Sequence, residues 1–111
     1  MARFGFIVLA FLLSLDTASA DDSAKSYATF CAMCHGLEGK GDGVAGAALP
    51  VKPANCADPK FWEGKTDEGL KKVIKEGGVA NGKSALMAPW GGVLNDAQID
   101  AMVIYLKTMK K

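Results

Sequence analysis

Histidine is almost missing from this chain of 111 residues: there is one, His35. Any site built on two imidazoles is therefore excluded. Cysteine is scarce and odd in number, three, so the thiols cannot all pair within the chain. Neither sign of charge dominates: Lys+Arg 13 stand against Asp+Glu 12, net +1. The basic footprint of a nucleic-acid binder is absent. No run alternates apolar and polar residues with period two, so no strand is predicted. There is no internal repeat and no Pro- or Ser-rich linker, and the length suits one small domain.

What is present begins with a short apolar stretch. Arg3 precedes the run Phe4 to Leu15, and Ala18-Ser19-Ala20 follows. A basic start, an apolar centre and a small-residue A-x-A end make a secretory signal. As a helix the run would reach about 18 Å, against about 30 Å of membrane hydrocarbon. The expected division is a signal peptide over 1–20 and one domain over 21–111, exported to the periplasm. Removal of 1–20 takes one base, Arg3, and one acid, Asp16, so the net charge stays +1. A chain of the remaining size needs something beyond its own apolar core.

Helical periodicity appears at the two ends and the middle of that domain. Ala24, Tyr27, Phe30 and Cys31 share a face, predicting a helix near Ser23 to Cys31. Thr66 is a suitable N-cap, Asp67 and Glu68 favour a first turn, and Gly77-Gly78 end the segment. Asn95 with Gln98 forms a capping-box pattern ahead of Ile99, Met102, Val103 and Leu106. Between the first two helices, Gly36, Gly39, Gly41, Gly43 and Gly46 predict a loop that bends closely around something or is simply flexible. Pro50, Pro53 and Pro59 keep the next stretch irregular.

The chemistry concentrates in Cys31-Ala32-Met33-Cys34-His35. C-x-x-C-H is the attachment signature of c-type haem. Two thiols on one helical turn add across the porphyrin vinyl groups, and the adjacent imidazole is held at the iron. Three other readings use the same residues. A thioredoxin-like pair wants a strand before its C-x-x-C, and none is predicted. A Cys₃His zinc site would need Cys34 and His35, neighbours in sequence, to ligate together, and Cys56 to join them. A Cys31–Cys34 disulfide is the plainest alternative.

With one histidine, a sixth ligand must be sought among the methionines. Met33 lies inside the motif, Met102 falls in the apolar stripe of the last helix, and Met109 is almost terminal. Met87 lies in the loop Ser84-Ala85-Leu86-Met87-Ala88-Pro89-Trp90, between two helices. It is the preferred axial ligand; a buried gap-filling methionine is the alternative. Gly77-Gly78-Val79-Ala80-Asn81-Gly82-Lys83-Ser84 also satisfies the phosphate-loop pattern. That pattern functions between a strand and a helix, whereas here it follows a helix and runs into Pro89. No nucleotide partner is expected.

Cys31-x-x-Cys34-His35-Gly36, the loop Gly39-Lys40-Gly41-Asp42-Gly43, Met87-Ala88-Pro89-Trp90-Gly91 and a final helix with Tyr105-Leu106 resemble a small monohaem class I cytochrome c. The resemblance implies an all-α fold, with three to five short helices wrapped around one covalently attached haem c. It implies Cys31, Cys34, His35 and Met87 as cofactor-binding residues, His35 and Met87 on the iron, and no catalytic residue. In the family an aromatic at the position of Tyr27 packs where first and last helices cross, against residues matching Tyr105 and Leu106. A proline-region carbonyl there accepts the axial histidine N–H; Pro50 and Pro53 both suit. Cys56 has no part in the family pattern and reads as a small buried hydrophobe, a reactive thiol or an intermolecular disulfide.

Filled axial positions leave no vacancy for oxygen or peroxide, and methionine raises the reduction potential. Leu86, Leu94, Ile99 and Val103 are expected to exclude water around the iron. The expected function is a soluble, monomeric one-electron carrier, not an enzyme. Its partners would be redox proteins such as membrane cytochrome complexes, oxidases or reductases. A fixed subunit of one oxidoreductase is the alternative. A five-coordinate haem sensor or peroxidase follows if Met87 is off the iron.

Overall fold

The computed structural model describes Gly5 and residues 20–111. The signal segment, including Arg3, the run Phe4 to Leu15, and Ala18-Ser19, lies outside the described residues apart from Gly5. Among the described residues six α-helices run in order: α1 Ala20–Phe30, α2 Ala32–His35, α3 Val44–Ala47, α4 Pro59–Trp62, α5 Asp67–Glu76 and α6 Asp96–Lys107. A 3₁₀ turn, Val79–Asn81, follows α5. Among the described residues there is no strand.

The three long helices are those that the periodicity predicts. In α5, the Thr66 hydroxyl accepts the Gly69 N–H at 3.1 Å, and Asp67 and Glu68 occupy the first turn. The reciprocal capping box of α6 is formed: Asn95 Oδ1 accepts the Gln98 N–H, and Gln98 Oε1 accepts the Asn95 N–H, both at 2.8 Å. The first helix differs, running from Ala20 to Phe30 rather than from Ser23 to Cys31. Asp21 and Asp22 in its first turn suit the positive end of the helix dipole. The single-turn helices α2, α3 and α4 are too short for periodicity to reveal.

The core forms where α1 crosses α6 and α5 packs against α6. Tyr27, Ile99, Met102 and Val103 are its most deeply buried side chains. Tyr27 and Tyr105 meet with ring centroids 5.5 Å apart, tilted by 55°, at the helix crossing the resemblance implies. Leu106 packs against the same cluster from partial exposure. Along the solvent side, Lys71–Asp100, Lys75–Asp96 and Lys107–Asp67 ion pairs join α5 to α6.

Candidate functional site

The attachment motif sits on an extra helical turn after a break in α1. The Cys31 N–H still donates to the Tyr27 carbonyl at 2.9 Å. The Cys31 carbonyl then accepts both the Cys34 N–H at 3.2 Å and the His35 N–H at 2.9 Å. Both thiols and the imidazole thus arise from one turn. The cysteines are unpaired, so no Cys31–Cys34 disulfide is formed. Burial, with Cys34 adding to it, pushes the Cys31 thiol up to about 11. That is opposite to the lowered value a thioredoxin-like attacking thiolate needs. Burial lowers the pKa of His35, favouring the neutral imidazole that can donate to a metal.

The glycine loop bends around this same turn. Gly41 N–H donates to the His35 carbonyl at 2.8 Å and Gly43 N–H to the Cys34 carbonyl at 3.2 Å. A Cβ at Gly43 would overlap the Met33 carbonyl, and one at Gly46 the Cys34 carbonyl. Gly36 closes the motif with φ +80°, and a Cβ there would strike the Asp42 carboxylate. Its carbonyl accepts the buried Tyr27 hydroxyl at 2.6 Å. Sequence reasoning missed that bond; a tyrosine rather than phenylalanine four residues before Cys31 was the available signal. Pro53 is half-buried, with its carbonyl oxygen against Gly41 and its ring 3.2 Å from a Cβ at Gly46. Pro50 is exposed.

Met87 is half-buried in its loop. Its N–H donates to Ser84 at 3.2 Å and its carbonyl accepts from Gly78 at 2.8 Å. Three residues on, Trp90 lies against Phe30 with ring centroids 5.4 Å apart. Phe30 immediately precedes Cys31, so this ring pair joins the methionine segment to the attachment turn. Met102 and Met109 are buried in the core instead, and Met33 is 64% exposed. Leu94, Ile99 and Val103 are buried as expected, whereas Leu86 is 57% exposed beside Met87.

Cys56 is 5% exposed. Its N–H donates to Gly39 at 2.7 Å, and its carbonyl accepts from Trp62 Nε1 at 2.8 Å. Burial pushes its thiol up to about 11. It belongs to the core cluster, which is the small buried hydrophobe reading. Among the described residues no three His, Cys, Asp or Glu side chains gather as a metal cluster, so the Cys₃His arrangement is not assembled. The donor set on α2 instead fits a group gripped by two thiols and one imidazole. In the phosphate-loop look-alike, amide groups turn inward: Gly78 N–H to Met87, and Lys83 N–H to Gly78 at 2.8 Å.

Comparison with known families places residues 18–106 in "Cytochrome C oxidase, cbb3-type, subunit III". The chain belongs to this family. It is 32% identical over 94 residues to the cbb3-type cytochrome c oxidase subunit FixP of Azorhizobium caulinodans, covering 85% of this chain and 28% of that protein. It is 33% identical over 86 residues to FixP of Bradyrhizobium sp. strain ORS 278, covering 78% and 26%. The chain therefore spans little more than a quarter of those relatives. Among solved structures, KustC0563 c-type cytochrome superposes with a TM-score of 0.66 at 26% identity, covering 80% of this chain and 98% of that one.

The all-α cytochrome c fold and covalently attached haem c follow from this membership. So does electron transfer by a c-type cytochrome as the family's task. The expectation of a protein that is not an enzyme is corrected: the family is that of an oxidase subunit. The physical reason is that the expectation rested on the absence of a recognisable catalytic motif, and a motif search within one chain does not read a family's place in an oxidase.

Proposed function

We propose that this chain is the haem-carrying electron-transfer module of an oxidoreductase complex, accepting and passing single electrons between neighbouring redox subunits. Cys31 and Cys34 would form the two thioethers, His35 would supply the proximal nitrogen and Met87 the sixth ligand. Haem c, when bound, supplies the one-electron couple. Cys31 and Cys34 would hold it covalently, and His35 would present an imidazole that burial keeps toward its neutral form. The observation carrying this reading is the attachment turn joined to the Met87 segment through Phe30 and Trp90. The naming of the relatives as oxidase subunits favours a fixed module over a free carrier.

A free carrier is the second reading, favoured by coverage of 98% of a c-type cytochrome chain by this one. In either case the segment 1–20 would direct export, and the domain 21–111 would work on the periplasmic side. Among the described residues no helix is long and apolar enough to cross a membrane. Gentle detergent extraction of native membranes distinguishes the readings. The module reading expects this chain, with its haem, to migrate with other redox subunits through sizing chromatography. Recovery of all of it as free 11.6 kDa or smaller protein in the soluble fraction would establish the carrier instead. Ready carbon monoxide binding by the ferrous form would point to the five-coordinate sensor or peroxidase.

A further inference from the structure

Gly77-Gly78, which opens the phosphate-loop look-alike, turns its amides into the fold, to Val73 and Met87, and the Met87 segment rests directly on it. We infer that Gly78, with Gly77 beside it, is the positioning element that holds Met87 over the iron; this rests on the assignment of Met87 as sixth ligand.

The backbone at Gly78 has φ −70° and ψ −42°, a conformation open to every residue. Space is what demands glycine there. An added Cβ would overlap the Ser84 carbonyl oxygen and stand 3.2 Å from Met87 Cβ. A backbone oxygen cannot rotate away as a flexible side chain can. The Gly78 N–H donates to the Met87 carbonyl at 2.8 Å, and its own carbonyl accepts from Lys83 at 2.8 Å and Asn81 at 3.1 Å. Gly77 has φ +82°, and a Cβ there would lie 2.9 Å from both the Met87 oxygen and Pro89 nitrogen. Asn81 Nδ2 braces it, donating to the Gly77 carbonyl at 2.8 Å.

The strap continues past the methionine. Trp90 N–H donates to the Ile74 carbonyl at 2.9 Å, and Gly91 N–H to Lys75 at 3.1 Å. Carbonyls left without partners at the end of a helix must bond elsewhere; at the end of α5 they anchor this loop. The two glycines allow the approach that makes these bonds possible. Met87 is thereby held through its backbone on Gly78, just past the end of α5, and the strap after it on α5 itself at Ile74 and Lys75. An added sixth ligand competes only with the detached state, so its apparent affinity scales with the detached fraction.

The experiment uses ferric holoprotein, exported with haem attached, titrated with imidazole. Four proteins are compared: wild type, Gly78→Ala, Met87→Ala and Gly92→Ala. A Cβ at Gly92 meets nothing within 4 Å, so Gly92→Ala controls for the substitution itself. Gly78→Ala should bind imidazole about tenfold more tightly or better. Its methionine-to-iron charge-transfer band should weaken, with haem per chain and helical content kept. Gly92→Ala should match wild type. If Met87→Ala keeps the wild-type band, the ligand assignment fails, and the positioning inference with it. If Met87→Ala loses the band but Gly78→Ala binds imidazole as wild type does, the inference is overturned while the assignment stands. Should Gly78→Ala not fold, Asn81→Ala decides: tighter imidazole binding supports the inference, and unchanged binding overturns it.

Discussion

Tyr27 illustrates how one hydroxyl can link the core to the site. Its ring fills the α1–α6 crossing, and its oxygen reaches the carbonyl of the residue after His35. Tyr27→Phe keeps the packing and removes the hydroxyl bond, leaving the Gly36 carbonyl with only the Gly39 N–H at 3.2 Å, and should cost about 0.5–1.5 kcal/mol. A lower urea midpoint with an unchanged m-value checks it. Burial also raises the pKa of Tyr27 well above its ordinary value of 10. The folded state then holds the proton that the unfolded state loses, so stability is full below about pH 10 and falls as pH rises beyond it. Cys56 acts in the same direction between its ordinary 9 and about 11. The alkaline fall in stability should be shallower in Tyr27→Phe, measured by denaturation at pH 8 and above. The motif cysteines and His35 were legible because their chemistry depends on spacing along one turn. The Tyr27 bond was not, because it joins residues through a bend at Gly36.

At the scale of elements, capping predicts the long helices well because caps are local. Asn95 and Gln98 are three residues apart, and their reciprocal bonds form as the pattern implies. Asn95→Ala removes one acceptor from the first turn of α6 and should cost about 1 kcal/mol. Thermal unfolding of the holoprotein measures it; a loss far smaller would mean that packing of Ile99, Met102 and Val103 alone sets the start of the helix. The short helices were hidden for the complementary reason. One turn has no period to read, and α2 and α3 are positioned by the glycine loop folding back on the Cys34 and His35 carbonyls. Gly77-Gly78 resembled a nucleotide motif in sequence and serves as a seat for a loop in the fold. Its meaning depends on what approaches it, which composition does not encode.

Across the whole molecule, the apolar core is a modest cluster around Tyr27, Ile99, Met102 and Val103. A domain of this size buries limited surface and gains from a group bound only in the folded state. Cys31→Ala combined with Cys34→Ala, exported without attached haem, should therefore lose fixed tertiary packing. Near-ultraviolet circular dichroism would collapse, while a native-like spectrum would show that the chain core suffices alone. The near-neutral charge leaves partners unspecified, and the family's description as an oxidase subunit gives the first place to search for them.

The sequence by itself pointed to haem attachment and determined the long helices: thiol spacing, a single imidazole, and caps three residues apart. All of these act over one or two turns, within reach of the chain's local geometry. Only the tertiary structure decided that Met102 and Met109 are core and Met33 exposed, why Cys56 is buried, and what the glycines accommodate. Those outcomes depend on segments distant in sequence meeting backbone to backbone, with Phe30 against Trp90 and Met87 on Gly78.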